Sequence, residues 1–270
     1  AASDVYKRQL IAPQPSTLEQ IVSLFIEHNY QEADINLGCP FPMLAKRHNG
    51  AGMLPYPEEI KELLTAATEK YPQIRFSVKL RLGWENANEC LALLPLLNTL
   101  PLSHIILHPR LGKQQYKGEV DLNGFEAFYH GCDKPLLYNG DLHTIEDIQT
   151  VTERFPRLAG VVIGRGLLAN PALAWEYQQN RKLSPDEMLS KVKQLHTAIY
   201  NSYEEQLQGG ETQLLMKMKN FWEYLLPNGN RKAKKTIHKT SKLTNYRIAV
   251  NDLLSSYPVS YTHLTLPTTS

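Results

Sequence analysis

Tyr138-Asn139-Gly140-Asp141 and, further on, Ile163-Gly164-Arg165-Gly166 decide how the chain is read. Each closes a short apolar run, Pro135 to Tyr138 and Leu158 to Ile163, and a helix-period segment from Ile145 to Phe155 lies between them. Strand, glycine-bearing turn, helix and strand in that order make a βαβ unit, which implies parallel strands. Working back toward the N-terminus, the unit recurs roughly every 30 residues. Strands are predicted at Gln9–Ala12, Asp34–Leu37, Phe76–Leu82 and His104–His108. Helices are predicted from Pro15, over Pro57–Tyr71, over Ala87–Leu97 with a kink or stop at Pro95, and over Leu122–His130.

Regular βα alternation gives an α/β protein whose parallel sheet is covered on both faces. Two architectures satisfy it, a doubly wound open sheet and a (β/α)8 barrel with two units absent. Asn36, Lys79, Arg81, His108, Asn139 and Arg165 all fall at or near strand exits. In a barrel those ends surround one mouth, where the active site sits. A barrel also carries its phosphate site after strands seven and eight, where the two glycine triplets would fall if the first two strands are absent. An open sheet carries phosphate glycines in its first βα turn, and no G-x-G-x-x-G occurs here. The expected fold is a TIM (β/α)8 barrel lacking its first two strands, followed by a small all-helical domain.

The remaining bounds come from composition. The 270 residues are 42% hydrophobic, with a net charge of +2 and a mean hydropathy of −0.36. No apolar run approaches the ~20 residues of a membrane span. Cys39, Cys90 and Cys132 lack metal-ligand spacing, which points to a reducing, cytoplasmic setting and to no metal. The ends read as artificial. Asp4-Val5-Tyr6-Lys7-Arg8-Gln9 can be encoded by GAT GTG TAT AAG AGA CAG, and the reverse complement of that string gives Val259-Ser260-Tyr261-Thr262-His263. Residues 1–9 and 259–270 are therefore expected to be adapter-derived and the natural protein to be a fragment. That leaves a partial barrel over 10–171 and a helical domain over 172–258.

In the helical part, Met188, Val192, Leu195, Ile199 and Tyr203 stripe one helix, and Leu214, Met218, Phe221, Trp222 and Leu225 stripe the next. From Glu211 to Arg247 nine Lys/Arg stand against two Glu, a local +7 that includes Lys232, Lys234 and Lys235. Such a run is either a solvated helix face or a surface for a polyanion.

Chemistry concentrates at the strand exits. Asp34-Ile35-Asn36-Leu37 alternates polar and apolar residues and delivers Cys39 to a loop stiffened by Pro40 and Pro42. Lys46, Arg47 and His48 make that loop cationic, and Gly50 and Gly52 allow close backbone approach. Read alone, Cys39 is either a reactive thiol or a small core hydrophobe. Ser77, Lys79 and Arg81 share one strand face, and a lysine on a covered face needs an acceptor, either a ligand or a buried acid. His108 could bind phosphate, polarise a ring or be a satisfied core histidine. Asn139-Gly140-Asp141 and Gly164-Arg165-Gly166 offer backbone N–H groups and a guanidinium to a phosphate.

Taken together, Asn36-Leu37-Gly38-Cys39-Pro40, Gly50-Ala51-Gly52, Val78-Lys79-Leu80-Arg81, His108-Pro109-Arg110, Tyr116-Lys117-Gly118, Asn139-Gly140-Asp141 and Ile163-Gly164-Arg165-Gly166 resemble the tRNA-dihydrouridine synthases. The resemblance runs from about Gln9 to Pro171. It implies FMN-dependent reduction of the C5=C6 bond of tRNA uridines, with NADPH as reductant and Cys39 as the acid that protonates C5. It assigns Lys79, His108, Asn139, Gly140, Asp141, Gly164, Arg165 and Gly166 to the cofactor. It assigns Asn36, Arg110, Lys113, Lys117, Lys232, Lys234 and Lys235 to the tRNA. A uridine must leave its stack to be reduced, which gives the basic segment a purpose. The implied protein is a monomer with tRNA as partner and no membrane or metal. Gln9 stands where the family has a flavin-contacting glutamine, and Pro109 replaces a commoner glycine. Two other readings remain, a non-catalytic RNA-binding relative and a flavin dehydrogenase acting on a free pyrimidine.

Overall fold

The computed structural model describes residues 7–227 and 229–257. Most of the two suspected adapter-derived ends, residues 1–6 and 259–270, lies outside the described residues. The described chain divides into two compact units: residues up to Asp141 together with Glu146–Ile163, and Leu142–Ile145 together with the chain from Gly164 onward.

The first unit is a parallel sheet of six strands among the described residues: β1 (Lys7–Leu10), β2 (Glu32–Leu37), β3 (Arg75–Gly83), β4 (Ile105–Leu111), β5 (Leu136–Asn139) and β6 (Gly160–Val162). The strands lie side by side in chain order, with every neighbouring pair parallel. A doubly wound sheet reverses its strand order at a switch point, whereas a barrel wall never does. The α/β fold is therefore that of a TIM barrel with six strands present, followed by a helical domain. Between the strands run α1 (Pro15–Glu27), α2 (Pro42–Ala45), a 3-10 turn (Gly50–Met53), α3 (Pro57–Lys70), α4 (Asn88–Thr99), α5 (Leu122–Gly131) and α6 (Ile145–Arg154).

Alternation along each strand separates two faces. Ile35 and Leu37 of β2, Val78, Leu80 and Leu82 of β3, and Ile105 and Leu107 of β4 are all buried, as are Leu63, Leu64 and Ala67 of α3. Full burial of such a side chain contributes about 1.5–3 kcal/mol. Farther along the sheet, Phe125 of α5 meets Tyr138 of β5 edge-on at 5.0 Å and Phe155 at 4.9 Å.

Three details differ from the sequence reading. The first strand begins at Lys7, inside the segment set aside as adapter-derived, and pairs with β2 from Lys7 opposite Glu32 to Leu10 opposite Ile35. The helix α4 runs on through Pro95 to Thr99. The strand β4 continues through Pro109 and Arg110 to Leu111, beyond its predicted end at His108. Asp121 N–H donates to the Pro109 carbonyl at 2.8 Å, so β4 is tied down beyond its predicted end.

The second unit holds α7 (Arg165–Ala169), α8 (Leu173–Gln179), α9 (Pro185–Gln206), α10 (Gly210–Phe221), α11 (Arg231–Lys239) and α12 (Leu243–Ser255). Ser184 and Glu187 form a reciprocal capping box at the start of α9, and Asn230 caps α11 by accepting from Lys232 N–H and Ala233 N–H. Val192, Met218, Trp222, Ile237, Tyr246 and Leu253 share one core. This unit starts at Gly164, before the Pro171 boundary read from the sequence. Leu226 N–H donates to the Ala169 carbonyl, which ties α7 to the helical core.

Candidate active site

Register in a parallel sheet places neighbouring side chains on the same face, and here it builds three polar rungs. The first joins Gln9, Asp34 and Ser77; the second Asn36 and Lys79; the third Arg81 and His108. On the first rung, buried Asp34 accepts from Gln9 Nε2 and from Ser77 Oγ, both at 2.6 Å. Gln9 Oε1 in turn accepts from Asn36 Nδ2 at 2.8 Å.

Asn36 shapes the exit of β2. Its Oδ1 accepts from the backbone N–H of Gly38 and of Cys39, each at 2.9 Å. The Cys39 carbonyl accepts from Ala51 N–H at 3.0 Å. The thiol residue is thus held between an Asx turn and the 3-10 turn. A Cβ on Gly50, whose φ is +57°, would stand 2.7 Å from the Cys39 carbonyl oxygen, and one on Gly52 would stand 2.3 Å from that of Ala45. Only glycine admits such packing. Cys90 and Cys132 are buried, and burial pushes their thiols up, that of Cys90 to about 12. Cys39 is the half-exposed thiol of the three.

Positive charge collects on the second and third rungs. Arg81, 2% exposed, donates through Nε to the Gly38 carbonyl at 2.9 Å and through Nη1 to those of Leu111 and Gln115 at 3.0 and 2.6 Å. It thereby ties the residue before Cys39 to the exit of β4, and its guanidinium lies 5.3 Å from the Tyr116 ring centre. Arg110, also 2% exposed, makes a bidentate pair with Asp141 and donates to the Gly118 carbonyl. Its Nη1 lies 3.2 Å from His108 Nε2, an arrangement that needs a neutral imidazole accepting there. Burial first, then the charges of Arg81, Lys79 and Arg110, lower the His108 pKa to about 3. Burial, then Arg81, also lowers that of Lys79.

Two donors, one on the second rung and one just beyond the third, lack hydrogen-bond acceptors. Arg110 Nε is buried without a hydrogen-bond partner. The Lys79 ammonium meets no hydrogen-bond or ion-pair partner among the described residues.

The sequence-predicted residues separate accordingly. Asn36, Cys39, Lys79 and His108 come together at the strand exits. Arg110, expected at the tRNA, lies inside β4, buried against Asp141. Asp141, expected at the cofactor, is in turn the counter-ion of Arg110. Asn139 donates to the Val162 carbonyl at 2.7 Å, and a Cβ on Gly140 would lie 3.4 Å from the His108 ring. Gly164, Arg165 and Gly166 open the second unit. Lys113 pairs with Glu85, while Lys117 is exposed. In the second unit Lys232 and Lys235 are exposed on α11, and Lys234 is partly buried, which lowers its pKa. The first rung was missed as a site. Its signal was the pairing of one acid, Asp34, with the polar face of β3.

The family model for dihydrouridine synthase matches residues 3–257. The chain belongs to that family. Among curated relatives, tRNA-dihydrouridine synthase B of Vibrio cholerae is 27% identical over 213 residues, covering 76% of this chain and 66% of its own length. The tRNA-dihydrouridine(16) synthase of Haemophilus ducreyi is 29% identical, covering 67% of this chain and 56% of its own. A probable tRNA-dihydrouridine synthase of Helicobacter pylori is 26% identical with the same coverages, 67% and 56%. The chain thus spans between about half and two-thirds of the curated relatives it matches. Among solved structures, a morphinone reductase aligns with a TM-score of 0.45 and 16% identity over 63% of this chain and 50% of its own, too slight a likeness to carry weight.

Proposed function

We propose that the protein reduces the C5=C6 bond of uridines in tRNA to dihydrouridine, using FMN with NADPH as the reductant. The observation that carries the reading is the pairing of a fixed, half-exposed thiol with unsatisfied donors on and just beyond the adjoining rungs. Cys39 is the acid: it stands at the exit of β2 and gives its proton to C5 of the base. Lys79 and Arg110 Nε are donors without acceptors, a donor set that suits a ring rich in carbonyl oxygens and ring nitrogens, as the flavin is. Bound there, FMN would supply the hydride for C6. Family membership supports the cofactor and the substrate class.

The chain's own groups divide the remaining work. Lys79 holds a positive charge against the electron-rich ring. His108, kept neutral by its surroundings, offers hydrogen bonds and does not compete with Cys39 as an acid. Asn36 positions Cys39 through the two N–H groups its Oδ1 accepts. Asn139 and Gly140, and separately Gly164, Arg165 and Gly166, are assigned to the phosphate by their order along the chain. Lys117, Lys232, Lys234 and Lys235 are assigned to tRNA phosphates, whose attraction weakens as salt rises.

The test uses unmodified tRNA, NADPH and FMN with the wild type and Cys39→Ala. Dihydrouridine formation should fall about 100-fold or more in the variant, while flavin binding stays unchanged. Equal turnover by the two proteins would remove Cys39 from the acid role, and no dihydrouridine from the wild type would refute the activity.

A further inference from the structure

A recess borders the loop that carries Cys39, and the reaction as proposed leaves it unused. It is a cavity of about 560 Å³ lined by Lys46, His48, Tyr56, Trp84, Glu85 and Glu89, with Gly52 and Ala45 in its wall. We infer that this cavity is a stacking subsite for an unpaired nucleotide of the RNA substrate that flanks the uridine being reduced. The inference rests on the proposed activity for the identity of the RNA, and on the cavity alone for the stacking.

The aromatic side is built in advance. His48 and Tyr56 stack at 3.7 Å between ring centres and 14° between planes. Glu59 holds the imidazole by its Nδ1, at 2.9 and 3.0 Å from the two carboxylate oxygens. The His48 backbone is kept at φ +50°, an uncommon conformation for a residue other than glycine. Tyr56 is nonetheless 41% exposed, so a flat apolar surface faces solvent in a cavity instead of closing a core. Trp84 adds a second ring. A Cβ on Gly112 would stand 2.2 Å from Trp84 Cε3, so the indole is seated from behind. Rings fixed in this way are the means by which proteins hold single-stranded bases, because every base offers a π face.

One cation of the lining is open to a phosphate. Both acids of the lining are already engaged. Glu85 pairs with Lys113, and Glu89 accepts from the backbone N–H of Trp84, Glu85 and Asn86. Lys46 and Arg47 are exposed, and neither side chain has a partner among the described residues. Lys46, in the cavity wall, is therefore available to a phosphate. The cavity also adjoins the reaction centre. Gly50 packs on Cys39 and Gly52 forms the cavity wall, and their Cα atoms can be at most about 7.6 Å apart.

The probe is fluorescein-labelled pentauridylate, and its binding to the full chain is followed by fluorescence anisotropy at low salt. Tyr56→Ala should weaken binding about tenfold. Tyr56→Phe, which keeps the ring, should stay within about twofold of wild type. Lys46→Ala should weaken binding and lower its salt dependence. Tyr56 and Lys46 are both exposed, and if Tyr56→Ala melts early, Lys46→Ala alone still decides. Pentauridylate bound equally by wild type and both alanine variants overturns the subsite and leaves uridine reduction untouched. Loss of binding in Tyr56→Phe overturns stacking as its basis. A wild type that neither binds pentauridylate nor forms dihydrouridine on tRNA sinks the inference together with the activity beneath it.

Discussion

Each unit sets a histidine in a polar cluster, His108 buried and His196 partly buried, and the two clusters are finished differently. In the helical unit Tyr246 is the hub. Its hydroxyl accepts from Trp222 Nε1 at 2.8 Å and shares a hydrogen bond with His196 Nε2 at 2.8 Å. Desolvation alone lowers the His196 pKa to about 4, which keeps the ring neutral. No charge enters the cluster and both partners of the hub are satisfied. In the barrel unit His108 is neutral as well, but three cations help to keep it so. There Arg110 Nε has no hydrogen-bond partner, and Lys79 feels Asp34 only at a distance, with no hydrogen bond or ion pair among the described residues. A saturated neutral network stabilises a fold. Buried donors and charges left without acceptors work against stability and mark a place held open for a ligand.

The largest effect that would break this contrast belongs to the finished cluster. Tyr246→Phe strands both Trp222 Nε1 and His196 Nε2, and should destabilise the protein by about 2–4 kcal/mol in urea unfolding. A loss below about 0.5 kcal/mol would mean the hub does not hold the helical unit together. Acid comes next. His108 and His196 have folded pKa values of about 3 and 4, below the ordinary 6.5. The unfolded chain thus takes up protons first as pH falls below 6.5, and stability drops. Between pH 6.5 and 5 the His108 contribution alone approaches about 2 kcal/mol. Unfolding at pH 7.5 and at pH 5 should show the fall, and a flat profile would contradict two neutral imidazoles.

Much of this was legible in the sequence. The period-2 runs at Asp34–Leu37 and Phe76–Leu82 gave the strands, and the polar exits at Asn36, Lys79 and His108 gave the barrel mouth. The burial of Arg110 was not legible, because β4 continues through Pro109. A proline followed by an arginine reads locally as a loop, and only the Asp141 pair, from a distant turn, reveals a buried guanidinium. The first rung was hidden for a related reason. Gln9, Asp34 and Ser77 lie far apart in the chain and meet only through strand register.

Lys79 gives the most direct measurement. Lys79→Met removes a desolvated charge that has no hydrogen bond, and without flavin the variant should be more stable than wild type by about 1 kcal/mol. Titrated with FMN, it should bind about tenfold more weakly or worse, since a charged hydrogen bond contributes about 1.5–3 kcal/mol. A variant that is less stable without FMN and binds it as tightly as wild type would contradict a site held open for the flavin.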